Sequence, residues 1–189
     1  HGPRKAAGPR ILDECDLFLN VSGGVDLKGR KPGGAKVYVD TDPVFIQARA
    51  APLSSPFRKA LKAYDALFSF GQNAGRQDSP IQTPGLDWHP TWPPVCTDLW
   101  KGLGRPPRDG PLTTVANWRS YQGVRHKGRW YGGTKHRAFR TYGGLPRATD
   151  RPFQVAMLYD PRDYVQVQDW AARGWHLVDP VIPSADTGA

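Results

Sequence analysis

Short apolar runs alternate with helix-like segments along the first part of the chain. The runs at residues 16–21, 35–40 and 66–70 are bounded by glycine, proline or aspartate, which is typical of short buried strands. Asp42-Pro43 and Ser55-Pro56 each predict the start of a helix, because an N-cap oxygen accepts a free amide hydrogen and proline suits the first helical position. This order predicts strand–helix–strand units on a parallel sheet, with the near-continuously apolar run at 16–21 covered on both faces.

The same rhythm returns after residue 111. Residues 112–116 and 152–160 predict strands, residues 161–173 predict a helix that ends at Gly174, and residues 175–178 predict a further strand. We therefore expect an α/β fold with two Rossmann-like lobes, each built on a parallel sheet.

A proline-rich segment at residues 79–94 separates the two halves. Its sequence, S-P-I-Q-T-P-G-L-D-W-H-P-T-W-P-P, contains five prolines, so neither a helix nor an interior strand is expected to run through it. Its large apolar residues indicate a rigid strap docked on both lobes rather than a flexible linker; they are Leu86, Trp88, Trp92 and Val95. The predicted domains are a first lobe at 1–78, the strap at 79–111 and a second lobe at 112–189.

The charge distribution changes what partners are expected. The 189 residues carry 26 Lys and Arg against 17 Asp and Glu, and a net charge of +9 favours a polyanionic or phosphorylated partner. No acid occurs between Pro111 and Thr149, where aromatic residues are interleaved with cations, a pattern that also suits single-stranded nucleic acid. The cations of this stretch are Arg119, Arg125, Lys127, Arg129, Lys135, Arg137, Arg140 and Arg147.

Other features exclude classes of protein. No apolar run approaches the roughly 20 residues of a membrane-spanning helix, and the first residues do not resemble a signal peptide, so we expect a cytoplasmic protein without a membrane span. Cys15 and Cys96 are too few for a disulfide framework and lie outside any metal-ligand spacing. They predict buried thiols, and we expect no bound metal and no cofactor.

Candidate catalytic residues follow the predicted strands, since ligands of parallel α/β sheets bind beyond the carboxyl ends of strands. Asp40 and Asp42 have the D-x-D spacing that can hold a divalent cation. The alternatives are a strand-end acid followed by an N-cap, or one carboxylate that accepts a proton from a sugar hydroxyl. His89, inside the strap, is the histidine to test as a base, with a purely structural role as the alternative.

Candidate binding residues occur in both lobes. Ser22-Gly23-Gly24 allows backbone amides to approach a phosphate or sugar, or forms a plain glycine turn. In the second lobe, arginine and lysine could neutralise a diphosphate, or simply form a solvated face. The candidates are Asn20, Ser22 and Gly23 in the first lobe and Asn117, Trp118, Arg119, Lys135 and Arg137 in the second.

Six motifs occur in order along the chain: D-L-F-L-N-V-S-G (16–23), V-Y-V-D-T-D-P (37–43), F-G-Q-N-A-G (70–75), I-Q-T-P-G-L-D-W-H-P-T-W-P-P-V (81–95), T-T-V-A-N-W-R (113–119) and G-W-H-L-V-D-P (174–180). Together they resemble a family of bacterial glycosyltransferase-like proteins with the two-Rossmann (GT-B) architecture. The resemblance covers the chain from about Cys15 to Pro180. The proline-rich segment is also similar to the P-x-G-[VL]-D-x-x-x-[FW]-x-P segment that crosses between the lobes of retaining members.

The resemblance implies a cleft with a hydroxyl acceptor on the first lobe and a nucleotide-sugar donor on the second. Trp118 and Arg119 would lie at the donor, and Asn20, Ser22, Asp40 and Asp42 on the facing wall. The late carboxylate that grips the donor in such folds has no counterpart, so we expect an incomplete second lobe and a partial chain without full transfer activity.

The function expected from these observations is metal-independent sugar transfer from a nucleoside diphosphate to a hydroxyl. Two alternatives stay open, a basic module that binds single-stranded nucleic acid and a non-catalytic α/β scaffold.

Overall fold

A computed structural model describes residues 8–27, 29–102, 104–105, 107–119, 123–132 and 135–181, apart from the side chains of Pro9, Lys135 and Ala138. These residues belong to two compact units. The first unit contains the chain up to Cys96 together with Arg125–Arg129, and the second contains Thr97–Val124 and the chain from Trp130. Each unit has its own parallel sheet, which confirms the predicted α/β class.

The first unit has a four-stranded parallel sheet in the order β1-β2-β3-β4. Its strands are β1 (Leu17–Val21), β2 (Ala35–Asp40), β3 (Ala66–Ser69) and β4 (Trp88–Pro90), and its helices are α1 (Gly8–Glu14), α2 (Pro43–Ala50) and α3 (Pro56–Leu61). Val21 pairs with Val39, and Asp40 pairs with Ser69. This register brings the carboxyl ends of β1, β2 and β3 to one edge of the sheet.

Helices α2 and α3 pack on one face of this sheet. The buried core there includes Tyr38, Leu67 and Trp88 from the strands and Ile46 and Leu61 from the helices. The opposite face of β1 stays open, since three of its side chains are about half-exposed; they are Leu17, Leu19 and Val21, at 52, 53 and 52%. The prediction that β1 is covered on both faces is therefore wrong for the described residues, because α2 and α3 cover only the other face.

The proline-rich segment is partly built into the first unit. Leu86 and Trp88 are buried in its core, and residues 88–90 form β4 beside β3. Pro90 is tolerated because β4 is an edge strand, so the expected absence of an interior strand agrees with the structure. Trp92 and Val95 are 74 and 69% exposed. The segment is thus a strand of the first sheet followed by an exposed stretch.

The second unit has a three-stranded parallel sheet in the order β5-β8-β9. A separate two-stranded sheet joins β6 and β7, whose residues are divided between the two units. The strands are β5 (Leu112–Asn117), β6 (Val124–His126), β7 (Arg129–Tyr131), β8 (Phe153–Leu158) and β9 (Trp175–Val178), and the helices are α4 (Lys135–Tyr142) and α5 (Tyr164–Ala172). The hairpin was not predicted. Its turn residues, Lys127 and Gly128, both have positive φ, as the type I′ hairpin turn requires.

The core of the second unit is mostly aromatic. The Trp170 ring lies 5.5 Å from Trp118, 4.9 Å from Phe139 and 5.2 Å from Trp175, measured between ring centroids. Two of these contacts are edge-to-face, the geometry that aromatic quadrupoles favour. Helix α5 is therefore packed against the core through Trp170, together with the fully buried Val167.

The cysteines differ from expectation. Cys15 is partly exposed and Cys96 is exposed, and both are free thiols, so the prediction of two buried thiols is wrong. Cys96 ends the first stretch of the first unit, after the exposed prolines, and so lies outside its core.

The helices are short, and α5 has nine residues. Among the residues that the structure describes, no helix combines the length and the apolar character needed to cross a bilayer.

Candidate functional site

The two acids at the end of β2 have different environments. Asp40 is fully buried, and its Oδ2 accepts hydrogen bonds from Ser69 Oγ at 2.9 Å and Gln47 Nε2 at 3.3 Å. Its Oδ1 accepts from the Asp42 backbone N–H at 3.0 Å. Asp42 is the exposed N-cap residue of α2, but its side chain makes no capping bond. Asp40 therefore supports the fold, whereas Asp42 presents an exposed carboxylate at the strand end.

Asp40 belongs to a longer buried polar network. Gln47 Oε1 accepts from Thr83 Oγ1 at 3.1 Å, and Thr83 Oγ1 accepts from Trp88 Nε1 at 3.1 Å. Burial raises the pKa of Asp40, and the hydrogen bonds from Ser69 and Gln47 oppose that rise. The network joins β2, α2, β3 and the segment before β4, so it fixes the edge of the sheet at which Asp42 lies.

The residues after β1 form a tight loop. Asn20 is buried, its Nδ2 donates to Val25 O at 2.9 Å and to Tyr64 Oη at 2.6 Å, and its Oδ1 accepts from Val25 N–H at 3.2 Å. Ser22 has a positive φ of 55°, and its hydroxyl hydrogen-bonds that of Thr41. Asn20 thus holds the loop in place, and Ser22 connects the ends of β1 and β2.

The three predicted binding residues of the first lobe line one cavity of about 650 Å³, within the size range of small-molecule sites. The remainder of its lining comes from the loop after β1, from β2, and from α2, α3 and the residues that follow them. Cations and aromatic rings are prominent in this lining; they are Arg30, Lys31, Lys36, Arg49, Tyr38, Phe57 and Tyr64. Sequence reasoning missed this group, because the residues are spread along the chain from the loop after β1 to the end of α3 with no common motif. The basic loop at 25–34 was the available signal.

His89 is not brought to the same place as Asp40. It pairs with Phe68 across β3 and β4, whereas Asp40 pairs with Ser69, so His89 and Asp40 project from opposite faces of the sheet. The His89 side chain is half-exposed, its ring lies 5.4 Å from that of Phe68, and its Nε2 is 4.0 Å from Asp87 Oδ2. His89 and Asp40 therefore do not form one catalytic group.

In the second unit, the residues after β5 have separate roles. Asn117 is exposed, and Trp118 is buried in the aromatic core. Arg119 makes a bidentate ion pair, in which Nε donates to Asp163 Oδ2 and Nη2 to Oδ1, both at 2.7 Å. The Asp163 side chain is only 3% exposed, and the hydrogen bonds from Arg119 lower its pKa. Sequence reasoning missed Asp163, although its position after Pro161 at the start of α5 was a signal.

Further charges surround this pair. Arg162 donates to both Asp160 oxygens, at 2.8 and 2.9 Å, so the carboxyl ends of β5 and β8 carry two arginine–aspartate pairs. Arg137 is exposed on α4, and Lys135 begins that helix with a side chain outside the described part. Burial, followed by the positive charge of Arg119, lowers the pKa of His136. The cations at this edge are therefore partly neutralised, and Arg137 extends them to the surface.

Comparison with known proteins gives no assignment: no family model, no curated protein and no solved structure matches this chain. In the described residues, no group of three or more histidine, cysteine, aspartate or glutamate side chains could hold a metal ion.

Proposed function

We propose that this chain is part of a glycosyltransferase-like protein of the two-lobe GT-B type, which moves a sugar from a nucleoside diphosphate to a hydroxyl acceptor. The observation that supports this proposal is the presence of two separate parallel sheets, each with polar or charged residues at the carboxyl ends of its strands. Ligands of such sheets bind at that edge. The motif resemblance described above points to the same chemistry.

In this proposal, Asp42 is the base. The acceptor oxygen attacks the anomeric carbon, the bond to the diphosphate breaks, and Asp42 takes the proton that the hydroxyl loses. Asp42 suits this role better than Asp40, whose carboxylate is already bonded to Ser69, Gln47 and the backbone.

The second unit would hold the donor. Arg137, Lys135 and Arg119 are assigned to offset charge on the diphosphate as it leaves, so that no metal is needed. Arg119 is held by Asp163 and half-exposed, which orients one guanidinium edge and neutralises part of its charge. Arg137 is therefore the better residue to mutate, because it is exposed.

The test is calorimetric titration of UDP and GDP into the native chain and into Arg137→Gln. We expect binding of one nucleotide, weakened about tenfold in the variant, since one charge-assisted contact is lost. Arg108→Gln, another exposed arginine of the second unit, is the matched control and should bind as the native chain does. Failure of both nucleotides to bind, or equal weakening in both variants, would argue against the donor site.

A second candidate is the binding of single-stranded nucleic acid. It is favoured by Arg125 and Lys127, which are exposed on the β6–β7 hairpin. This function predicts an oligonucleotide affinity that falls steeply with salt, measured by fluorescence anisotropy, because counterions are released on binding. An oligonucleotide affinity that does not change with salt concentration would exclude this function.

A further inference from the structure

The cavity beside the end of β1, which we name the β1 cavity, has an apolar wall and a cationic rim. The rings of Tyr38, Phe57 and Tyr64 pack edge-to-face, with Tyr38 at 6.3 Å from Phe57 and 5.4 Å from Tyr64. These rings can pack against the apolar or ring-shaped part of a ligand.

Among the described residues of the lining, four charged side chains are cations and one is an acid; they are Arg30, Lys31, Lys36, Arg49 and Asp26. Lys36 is partly committed, since its Nζ donates to Ala63 O at 2.8 Å and lies 3.8 Å from Asp65. The Arg49 guanidinium lies over the Phe57 ring, 4.1 Å from its centroid, and so stands where the aromatic wall meets the rim. This excess of positive charge favours an anionic group, and guanidinium groups match the oxygens of phosphate in pairs.

An unpartnered hydroxyl lies in the same lining. Tyr38 is 2% exposed, and among the described residues its Oη has no hydrogen-bond partner. Leaving a buried hydroxyl unpaired is unfavourable, so this hydroxyl favours a ligand that brings an acceptor, which none of the described residues supplies.

Gly23 packs close to that hydroxyl. A Cβ built on Gly23 would lie 3.3 Å from Tyr38 Oη, and Gly23 has a positive φ of 70°. A side chain at position 23 would therefore crowd the phenol, and the glycine keeps this part of the cavity lining, which Gly23 and Tyr38 share, uncovered. Burial raises the pKa of Tyr38 to about 12, which keeps the hydroxyl hydrogen on the phenol at neutral pH.

We propose that the β1 cavity binds a small molecule that carries a phosphate on a ring or apolar group, with Arg49 at the phosphate, Tyr38 donating to one of its oxygens and Phe57 against the ring. The assignment of this molecule as the sugar acceptor rests on the proposed function, whereas its binding does not.

The probe is phenyl phosphate, titrated into the full chain by calorimetry or NMR. We expect Tyr38→Phe to weaken its binding about tenfold, because one hydrogen bond to a charged group is lost. Arg49→Gln should weaken it by a similar factor. The thermal midpoint of Tyr38→Phe should equal or exceed that of the native chain, since the deleted hydroxyl has no partner in the described protein, and this separates lost binding from lost folding.

Lys59→Gln is the control for charge. Lys59 is exposed on α3 and is not part of the cavity lining, so its replacement should leave phenyl phosphate binding unchanged. Inorganic phosphate should bind more weakly than phenyl phosphate, because it cannot use the aromatic wall.

The proposal is overturned if phenyl phosphate does not bind at millimolar concentration, if Tyr38→Phe and Arg49→Gln both bind as well as the native chain, or if inorganic phosphate binds equally well. Binding of phenyl phosphate without binding of UDP or GDP would support the site and remove its role in sugar transfer. Binding of UDP or GDP without binding of phenyl phosphate would overturn the β1 cavity as a phosphate site and leave the proposed donor site in place.

Discussion

The charged residues at the strand ends are held by different interactions in the two units. In the first, Asp40 is buried, forms no ion pair with any described residue, and is held by a hydroxyl, an amide and a backbone N–H. In the second, Arg119 is held at the start of α5 by the buried carboxylate of Asp163. A charged residue at a strand end can thus stabilise the fold, and its partners determine whether it does so through hydrogen bonds or through an ion pair.

The cores below these charges differ as well. The first core contains the polar network of Asp40, Gln47, Thr83 and Trp88, whereas the second is dominated by aromatic rings around Trp170. We therefore expect the second unit to be more sensitive to loss of volume, and the first to loss of hydrogen bonds.

The largest effect is expected from Trp170→Ala. It removes ring contacts to Trp118, Phe139 and Trp175 and leaves a cavity, which should lower the free energy of unfolding of the second unit by about 3–5 kcal/mol. Val165→Ala, on the same helix but 80% exposed, is the control. Denaturant unfolding measures both, and equal effects of the two variants would contradict an aromatic core.

Asp40→Ala should have the next largest effect. It leaves the Ser69 hydroxyl, the Gln47 amide and the Asp42 backbone N–H without their acceptor, at a cost of about 1–3 kcal/mol in unfolding free energy. Asp87→Ala, whose side chain is almost fully exposed, should be near neutral in the same denaturant titration. A small effect of Asp40→Ala would show that the network contributes little.

Asp40 and Asp163 should also make opposite contributions to the pH dependence of stability. The folded-state pKa of Asp40 is raised above its ordinary 3.8, so its contribution to stability is greatest at low pH and falls as pH rises through the window above 3.8. Asp40→Asn does not titrate and should therefore gain stability relative to the native chain on going from about pH 4 to about pH 7. If Asp40→Asn instead lost stability relative to the native chain in this window, hydrogen bonding would outweigh burial in setting the pKa of Asp40.

For Asp163 the pKa is lowered, mainly by the hydrogen bonds from Arg119, so its stabilisation is present above 3.8 and is lost as pH falls through the folded-state pKa. Asp163→Asn should remove that acid-induced loss from the unfolding profile of the second unit. The profile of the first unit should not change.

The smallest effect concerns the helix starts of the first unit. Ser55 Oγ accepts from Arg58 N–H at 3.3 Å, so Ser55→Ala should cost about 1 kcal/mol in unfolding free energy. Asp42→Ala should cost less, because its side chain makes no capping bond. A larger effect at Asp42 would show a structural role and weaken its assignment as a base.

Much of the fold followed from local pattern. The alternation at residues 35–40 and the Ser55-Pro56 start both coincide with observed elements, because burial of one strand face and the chemistry of a helix start are decided by neighbouring residues. The structure places β4 within the proline-rich segment, since three residues at an edge need only one partner strand, and proline is acceptable there.

Less of the candidate site than of the fold could be predicted from the sequence. Asn20, Asp40 and Trp118 were selected for their position after strands, yet each is buried and serves the fold. Their hydrogen-bond partners lie far along the chain, as with Asn20 and Tyr64 or Asp40 and Ser69. No local sequence pattern therefore predicts these contacts. The β1 cavity has the same origin, because its lining joins residues that only the tertiary structure brings together.

The open face of β1 has a practical consequence. Among the described strands, β1 pairs only with β2, so its outer backbone is unpaired, and its apolar side chains Leu17, Leu19 and Val21 are half-exposed. Such an edge is a template on which a strand from another molecule can add. Concentrated preparations should therefore self-associate through β1, and Leu19→Lys should keep them monodisperse.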